Sequence, residues 1–383
     1  MICKRCGNED HHYFYFDHHQ WYCRKCISFG RLNIGDVPRK RGYTRKKVVC
    51  EYTLQYPLTN AQEEVSKKIV YYLNQKQDVL VYAACGAGKT ELVMESIKMY
   101  LSRGCKVGFA ISRRQVVLEI KDRLQAAFSN LCVIAVCEGY TDITDGDIIV
   151  CTMHQLYRYY ETFDLLIMDE VDAFPYRGND VLKRVAQQSC IGQTVYLTAT
   201  PDKEMLIEVK QGKLQMVSLF HRPHGYPLIL PKVKRGLIIM QYGWLWNFLS
   251  QHKKKKIQVL LFVPTIALAH KLFIFLRLWF RCAVFTSQTS KKEECIQQFH
   301  KKEYDFLICT TVLERGITIK GIHIVILFAD HPVFHEASLI QIIGRVGRNI
   351  DMPTGEGLFL CRKQTKDIQG CLLALQKMNL ERV

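Results

Sequence analysis

The sequence predicts two successive α/β lobes, each built on a parallel β-sheet, behind a small module that contains four cysteines. From residue 51 onward, short apolar runs alternate with longer helical patterns, as expected for βαβ units. Prolines and glycines interrupt this alternation over residues 221–231, which predicts a hinge. The predicted domains are a four-cysteine module at 1–30, a basic linker at 31–50, a first lobe at 51–222 and a second lobe at 223–383.

The composition favours a polyanionic partner. The 383 residues carry a formal net charge of +17, and residues 1–50 alone hold 11 Lys and Arg against 4 Asp and Glu. Such an excess is typical of proteins that bind nucleic acid or an acidic membrane surface. Hydrophobic residues make up 48% of the chain, which is enough for sizeable buried cores.

Cysteine usage and hydropathy indicate a cytoplasmic protein. Lys4 and Arg5 interrupt the amino terminus, so no signal peptide is predicted and the 16 cysteines are expected to be reduced. No transmembrane helix is predicted either. The best apolar run, residues 272–285, is too short and contains Arg277 and Arg281.

The two cysteine pairs have the spacing of a structural zinc site. Each Cys-x2-Cys pair places two thiolates on one tight turn, and two such turns complete a tetrahedral shell. A site filled by four cysteines has no open position for catalysis, and Zn²⁺ would supply the folding energy of so small a segment. The predicted ligands are Cys3, Cys6, Cys23 and Cys26, with His11, His12, His18 or His19 left open as a replacement for one cysteine.

Two further features surround these cysteines. The aromatic residues between the pairs are expected to form the small core of the module, with stacking on exposed bases as the alternative. The basic linker is expected to contact phosphates, with a merely solvated linker as the alternative. The aromatic residues are Tyr13, Phe14, Tyr15, Phe16, Trp21 and Tyr22.

A phosphate-binding loop is predicted early in the first lobe. Residues 79–82 predict a buried strand, and a helical pattern starts at residue 91. The glycine-rich segment between them lets backbone N–H groups turn toward phosphates at a helix N-terminus, although Ala83 stands where the general pattern has glycine. Lys89 would reach the β- and γ-phosphates and Thr90 would hold Mg²⁺. The predicted ATP-binding residues of the loop are Gly86, Ala87, Gly88, Lys89 and Thr90.

A second buried strand, predicted at residues 165–168, ends in acidic residues. Asp169 is predicted to bind Mg²⁺, and Glu170 to orient and deprotonate the attacking water. A third strand leads into the Thr-Ala-Thr segment at 198–200, which is expected to couple the ATP site to a strand-binding face. Gln62, ahead of the loop, is predicted to read the adenine edge, although a lone glutamine is also an ordinary helix residue.

The second lobe repeats the strand pattern at residues 259–263, 306–310 and 322–328. The segment 310–318 follows one of these strands directly. Its hydroxyls and backbone amides suit contacts to a nucleic-acid backbone, and Gly316 is counted among the predicted nucleotide-binding residues.

Two arginines complete the predicted ATP site. Arg345 and Arg348 are three residues apart, so they are expected to share one helical face. From there they would act as arginine fingers and neutralise charge on the transferring γ-phosphate. With Lys89 and Glu170 they form the predicted catalytic set of one ATP site that both lobes share.

The ordered motifs from residue 83 to residue 348 resemble those of superfamily 2 helicases, whose motor consists of two RecA-like lobes. More narrowly, the chain resembles the ComFA family of competence proteins in its four-cysteine module and in the segments 169–176, 224–228 and 313–318. The resemblance implies an ATPase that single-stranded DNA activates and that drives DNA uptake in natural transformation. It also implies work at the cytoplasmic face of the membrane, beside a DNA-import channel and a phosphoribosyltransferase-like competence partner.

Three other functions remain compatible with the residues. A replication-restart or repair helicase would unwind duplexes, and an RNA helicase would respond to RNA as strongly as to DNA. A nucleic-acid-binding module would bind without turning over ATP. The complete set of Lys89, Glu170 and Arg348 argues against this last function.

Overall fold

The computed structural model describes residues 1–314, 319–349 and 351–381. The chain divides into two compact units. The first comprises Met1–Ala83 and Gly88–Leu219, and the second comprises Ala84–Ala87 and Phe220–Val383.

The amino-terminal module of the first unit is a hairpin closed by cysteines. Strands β1 (Phe14–Asp17) and β2 (Gln20–Cys23) pair antiparallel. Behind the hairpin, the ring of Phe29 lies 5.3 Å from the ring of Tyr157, measured between centroids. The module is therefore packed against the larger part of this unit rather than loosely tethered to it.

The basic linker runs along the same unit and pairs with its carboxylates. Three of its cations lie within ion-pair distance of acidic side chains that are far away in sequence. Each such surface pair contributes at most about 1 kcal/mol, but together they fix the path of the linker. The linker thus lies along this unit at these positions, and its contacts to phosphates stay a prediction. The pairs are Lys40–Glu161, Arg45–Asp164 and Lys46–Asp147.

The core of the first unit is a parallel sheet. Its strands are β3 (Val79–Ala83), β4 (Val107–Ile111), β5 (Val133–Val136), β6 (Ile148–Thr152), β7 (Phe163–Asp169), β8 (Cys190–Thr198) and β9 (Gln215–Leu219). They lie in the order β5-β6-β4-β7-β8-β3-β9. Every residue of β4 is buried, because helices cover both faces of a parallel sheet. The helices are α1 (Asn60–Asn74), α2 (Lys89–Leu92), α3 (Met94–Ser102), α4 (Arg114–Ala127), α5 (Asp180–Ser189) and α6 (Lys203–Lys210).

The second unit repeats this architecture. Over its described residues the strands are β10 (Lys232–Arg235), β11 (Val259–Phe262), β12 (Cys282–Phe285), β13 (Phe306–Cys309), β14 (His323–Leu327) and β15 (Gly357–Cys361). They are parallel and lie in the order β10-β15-β14-β11-β13-β12. The helices are α7 (Ile238–Lys254), α8 (Ile266–Leu276), α9 (Lys292–His300), α10 (Glu336–Ile343) and α11 (Lys366–Leu380). Within the described parts of the chain, no helix combines the length and the apolar character needed to cross a membrane.

The two parallel sheets confirm the predicted fold class. The strands predicted in the first lobe coincide with β3, β7 and β8, and those predicted in the second with β11, β13 and β14. In the second unit, the segment rich in proline and glycine that follows Leu219 has no regular structure until β10 begins. In each lobe, the carboxyl ends of the parallel strands lie along one edge of that lobe's own sheet.

A buried histidine pair lies at the opposite, amino edge of the second sheet. The Nδ1 of His252 donates to the carbonyl oxygen of Phe248 (2.7 Å), so its Nε2 accepts from the Nδ1 of His323 (2.8 Å). The carboxylate of Glu356 lies within 4.8 Å of both rings. The 2.8 Å separation is a hydrogen bond, because two nitrogens on one tetrahedral zinc are about 3.3 Å apart. Burial, then the charge of His252, lower the pKa of His323 to about 4.

Acid is expected to destabilise the second unit through this pair. The unfolded chain protonates His323 near the ordinary histidine pKa of about 6.5, whereas the folded chain resists protonation to about pH 4. The stabilisation is complete above about pH 6.5 and is lost as the pH falls toward about 4. Since His323 is partly exposed, we expect His323→Asn to reduce the stability lost between about pH 7 and pH 5 by about 1 kcal/mol in urea unfolding.

The matched control for this measurement is His270→Asn, at an exposed position of α8. It should show the pH dependence of the unmodified protein. The same pH dependence in His323→Asn would contradict the role assigned to the pair.

Candidate ATPase site and four-cysteine cluster

The loop between β3 and α2 is built for close approach of a ligand to the backbone. Gly86 and Gly88 have φ values of +84° and +82°, a region that residues with a side chain rarely adopt. A Cβ atom on Gly88 would also lie 2.5 Å from Nε2 of Gln62. The loop leads directly into the N-terminus of α2, where free N–H groups and the helix dipole favour phosphate. The predicted helix is interrupted at Val93, after which α3 continues.

The predicted lysine and threonine lie at the start of α2. Lys89 is its first residue, and its Nζ lies 3.5 Å from the carbonyl oxygen of Ala83 at the end of β3. Thr90 is the next residue and is buried. The lysine therefore lies back over the loop, where a phosphate group would be held.

Gln62 lies beside this loop, as the contact with Gly88 shows, but it also has a structural task. Its Oε1 accepts from the backbone N–H of Thr59 (2.9 Å), and together the two residues form the capping box of α1. The side chain is almost completely buried. The sequence is compatible with an adenine contact or with an ordinary helix residue at Gln62, and the structure adds the capping role.

The acidic residues lie on the same sheet edge as the loop. Asp169 is the last residue of β7, and only β8 separates β7 from β3 in the sheet. Burial, then the negative charge of Glu170, raise the pKa of Asp169 to about 7, while the positive charge of Lys89 opposes this shift. A divalent cation would stabilise the ionised form of Asp169. The residues present thus fit Mg²⁺.

Glu170 has a backbone conformation that the sequence did not predict. Its φ is +54°, in the left-handed region that costs a non-glycine residue of order 1–3 kcal/mol. Its N–H donates to Leu197 on the neighbouring strand β8 (3.0 Å) and to Oδ1 of Asp169 (2.9 Å). Strain of this kind persists where the surroundings over-determine it, as they do in functional sites.

Asp172 connects the acidic turn (residues 169–172) to the Thr-Ala-Thr segment. This buried carboxylate accepts from the hydroxyl of Thr198 (2.8 Å) and from the hydroxyl of Thr200. The N–H of Thr200 in turn donates to the hydroxyl of Thr198 (3.0 Å). A movement of the acidic turn would therefore move the end of β8. The sequence reasoning assigned no role to Asp172.

In the second unit the two arginines do not share a helical face, so this prediction is wrong. Helix α10 ends at Ile343, and Gly347 has a φ of +66°, so the chain turns between the two residues. A Cβ on Gly347 would lie 2.3 Å from the carbonyl oxygen of Pro353. Arg345 is buried, and its Nε donates to the carbonyl oxygen of Glu314 (3.0 Å).

Arg348 occupies a different environment. It is partly exposed, and its Nε donates to the carbonyl oxygen of Gly344 (2.9 Å). Of the two predicted fingers, Arg348 is thus the more accessible. Gly316, the remaining predicted nucleotide-binding residue, lies outside the described residues.

The four cysteines of the amino-terminal module form one cluster. The Sγ atoms of Cys3 and Cys26 are 3.7 Å apart, and those of Cys6 and Cys23 are 3.6 Å apart. Four sulfurs about 2.3 Å from one zinc ion would be about 3.8 Å apart, so the cluster fits Zn²⁺. All four cysteines are buried, whereas the neighbouring histidines are exposed and lie outside the cluster, which argues against a histidine ligand. These histidines are His11, His12, His18 and His19.

The aromatic residues of the module do not form its core, contrary to the prediction. Of the aromatic residues in this fully described segment, only Phe14 is buried, because the four sulfurs occupy the interior. The exposed fractions of Tyr15 and Phe16 are 50% and 51%. Arg24 and Arg31 lie over the rings of Tyr15 and Tyr22, at 5.6 and 4.5 Å from the ring centroids. The hairpin therefore presents aromatic and basic groups to solvent.

Two family models match this chain. Residues 55–203 match the family described as type III restriction enzyme, res subunit. Residues 240–350 match the helicase conserved C-terminal domain. Together they span both lobes.

Curated relatives and solved structures extend this finding. The competence protein ComFA of Bacillus subtilis is 31% identical over 98% of this chain and 85% of its own length. That of Streptococcus pneumoniae is 33% identical over 100% of this chain and 91% of its own. The S. cerevisiae protein Dbp5, solved with RNA and ADP BeF3, superposes with a TM-score of 0.59 over 85% of this chain and 92% of its own. At 16% identity, this last similarity shows the fold alone.

Proposed function

Because the chain belongs to the ComFA family of competence proteins, with the domains of superfamily 2 helicases, we propose that it is a Mg²⁺-dependent ATPase that single-stranded DNA stimulates. Its motor would move the strand during DNA uptake in natural transformation.

One observation carries the proposal: the phosphate loop and the acidic turn lie on the same edge of one parallel sheet. The positive charge of Lys89 acts on buried Asp169, and Glu170 follows Asp169 in the chain. In this arrangement Lys89 would hold the β- and γ-phosphates, and Glu170 would orient and deprotonate the attacking water. Gly86, Ala87 and Gly88 would supply backbone N–H donors.

Mg²⁺ would be held by Asp169 and Thr90. Both side chains are buried at the carboxyl edge of the sheet, and burial, then the negative charge of Glu170, raise the pKa of Asp169, which supports a cation beside it. When bound, the ion neutralises the charge that develops between the β- and γ-phosphates. The buried Asp172 accepts hydrogen bonds from both threonines of the Thr-Ala-Thr segment. Through these bonds, a movement of the acidic turn during ATP hydrolysis would move the end of β8.

The two arginines are proposed to have different tasks. Arg348 is partly exposed and would stabilise the charge that develops on the transferring γ-phosphate during hydrolysis. Arg345 is buried against the carbonyl oxygen of Glu314, so it would hold the loop in shape.

The amino-terminal module is proposed to bind Zn²⁺ and to contact DNA. The Sγ–Sγ distances support a structural zinc held by four cysteines. The exposed rings of Tyr15 and Phe16, with Arg24 over the ring of Tyr15, support stacking of successive bases beside a charged backbone. By family membership, the protein would act at the cytoplasmic face of the membrane. Its partners there would be a DNA-import channel and a phosphoribosyltransferase-like competence protein.

ATP hydrolysis measured in parallel with single-stranded DNA, duplex DNA and RNA tests the proposal. We expect a several-fold higher rate with single-stranded DNA than with either other ligand, and dependence on Mg²⁺ in each case. The rate should fall as salt rises, because contacts to the phosphate backbone release counterions.

Three outcomes would assign a different activity. Equal stimulation by RNA would favour an RNA helicase, and efficient unwinding of a forked duplex would favour a repair or replication-restart helicase. A complete lack of ATP turnover would reduce the protein to a nucleic-acid-binding module.

A further inference from the structure

Arg222 is a buried cation in the segment that precedes β10 in the second unit. Its exposed fraction is 2%, and it is one of the largest fully buried side chains of the described residues. A charged group rarely occupies such a position unless polar partners replace its hydration. The partners of Arg222 within this unit are therefore informative.

Three of these partners are backbone carbonyls of the loop that carries the two predicted arginine fingers. One terminal nitrogen of Arg222, Nη1, donates to the carbonyl oxygens of Val346 (2.8 Å) and Gly347 (2.9 Å). The other, Nη2, donates to that of Gly344 (2.9 Å), while Nε donates to the carbonyl oxygen of Cys85 (2.9 Å) in the predicted phosphate loop. The three carbonyls follow the C-terminal end of α10, where carbonyls lack helical partners and the helix dipole favours a cation.

The same carbonyls connect Arg222 to Arg348. The carbonyl oxygen of Gly344 also accepts from Nε of Arg348 (2.9 Å), so both guanidinium groups share one acceptor. Burial, then the positive charge of Arg348, lower the pKa of Arg222 to about 10, so the group stays protonated at neutral pH. The shared carbonyl oxygen of Gly344 offsets part of the repulsion between the two like charges.

His224 supports the loop from the same segment. Its Nδ1 accepts from the N–H of Tyr226 (3.1 Å), so its Nε2 carries the hydrogen and donates to the carbonyl oxygen of Gly347 (2.9 Å). Gly347 itself has a left-handed conformation, and a side chain there would collide with the carbonyl oxygen of Pro353. The path of the loop is thus fixed by backbone geometry and by two side chains that precede β10.

We propose that Arg222 is a positioning residue for Arg348: its planar guanidinium joins three carbonyls of residues 344–347 and so fixes the direction in which Arg348 projects. The inference rests on the proposed ATPase function, in which Arg348 acts on the γ-phosphate. Arg222 makes no contact with substrate in this role.

Arg222→Lys tests this role because it keeps the charge but lacks the planar fork that reaches several carbonyls at once. We expect kcat for ATP with single-stranded DNA to fall on the order of 10- to 100-fold, the range that a small misplacement of a catalytic group costs. Affinity for single-stranded DNA should stay within about twofold, whereas a rise in KM for ATP would report the lost hydrogen bond to Cys85 of the phosphate loop and not the role through Arg348. The control Arg235→Lys, at an exposed position of β10, should behave like the unmodified protein.

A double-mutant cycle separates positioning from a general loss of structure. If Arg222 acts through Arg348, Arg222→Lys should cause no further loss of kcat in an Arg348→Ala background. His224→Gln, a milder change, should show a smaller loss that is likewise absent from that background, and it keeps the test available if Arg222→Lys folds poorly.

The outcomes distinguish this inference from the function on which it rests. Unchanged kcat in Arg222→Lys, or losses that multiply in the double mutant, would overturn the positioning role while ATP turnover by the unmodified protein stands. Absence of DNA-stimulated turnover in the unmodified protein would overturn the proposed function itself, and the positioning role with it.

Discussion

Replacing Lys89 by alanine is expected to abolish ATP turnover with or without DNA. Lys89 lies over the phosphate loop and carries a positive charge that reaches Asp169. Without Lys89, no preorganised ammonium group stabilises the charge that develops on the γ-phosphate. The loss of one preorganised donor lowers the rate by on the order of 10²–10³. The measurement is release of phosphate at saturating single-stranded DNA and Mg²⁺.

Two matched variants make this result specific. Lys68→Ala removes an exposed lysine of α1 and should leave the rate unchanged. Glu170→Gln keeps the shape of the side chain but removes the base, so it should still bind ATP while failing to hydrolyse it. Normal turnover by Lys89→Ala would show that ATP is bound elsewhere on the chain.

The parts of the site that the sequence predicted are those that depend on continuous local patterns. Strands β3 and β7 are buried on both faces, so they appear in the sequence as uninterrupted apolar runs. Because parallel strands end on one sheet edge, the loop after β3 and the acidic residues after β7 had to lie near each other. Composition and motif spacing therefore sufficed to predict this edge.

Two predictions were wrong: one depended on where a helix ends, and the other on which side chains fill an interior. Arg345 and Arg348 share a face only if α10 extends through them, and Gly344 and Gly347 were the available signal that it does not. The aromatic residues of the hairpin were assigned to a core. The cysteine sulfurs fill that interior, which spacing alone did not show.

Other features left no signal in the sequence. The left-handed φ of Glu170 accompanies its hydrogen bond to β8, and glutamate as a residue type does not favour it. Arg222 binds backbone carbonyls more than 120 positions away in sequence. Every residue type has a backbone carbonyl, so the sequence does not indicate which residues accept from Arg222. Only tertiary packing brings such partners together.

Removing zinc is expected to unfold the amino-terminal module while both lobes remain folded. Phe14 is the one buried aromatic residue of this fully described segment, so the module has too little core to fold without metal. Structural zinc supplies on the order of 10–16 kcal/mol to small modules of this kind. We expect about one zinc per chain in the purified protein, and much less in Cys23→Ser, because three thiolates leave the tetrahedral shell incomplete.

Limited proteolysis locates the effect. Lys4, between two of the ligands, accepts a hydrogen bond at its carbonyl oxygen from Nε2 of Gln188 in α5 (2.6 Å), so the metal also shapes the docking surface. Cys23→Ser should therefore be cleaved within residues 1–30, whereas Cys132→Ser, at an exposed cysteine outside the cluster, should resist cleavage and keep its zinc. Much less than one zinc in the unmodified protein would contradict the metal assignment, and the fold of the module would then need another source of stability.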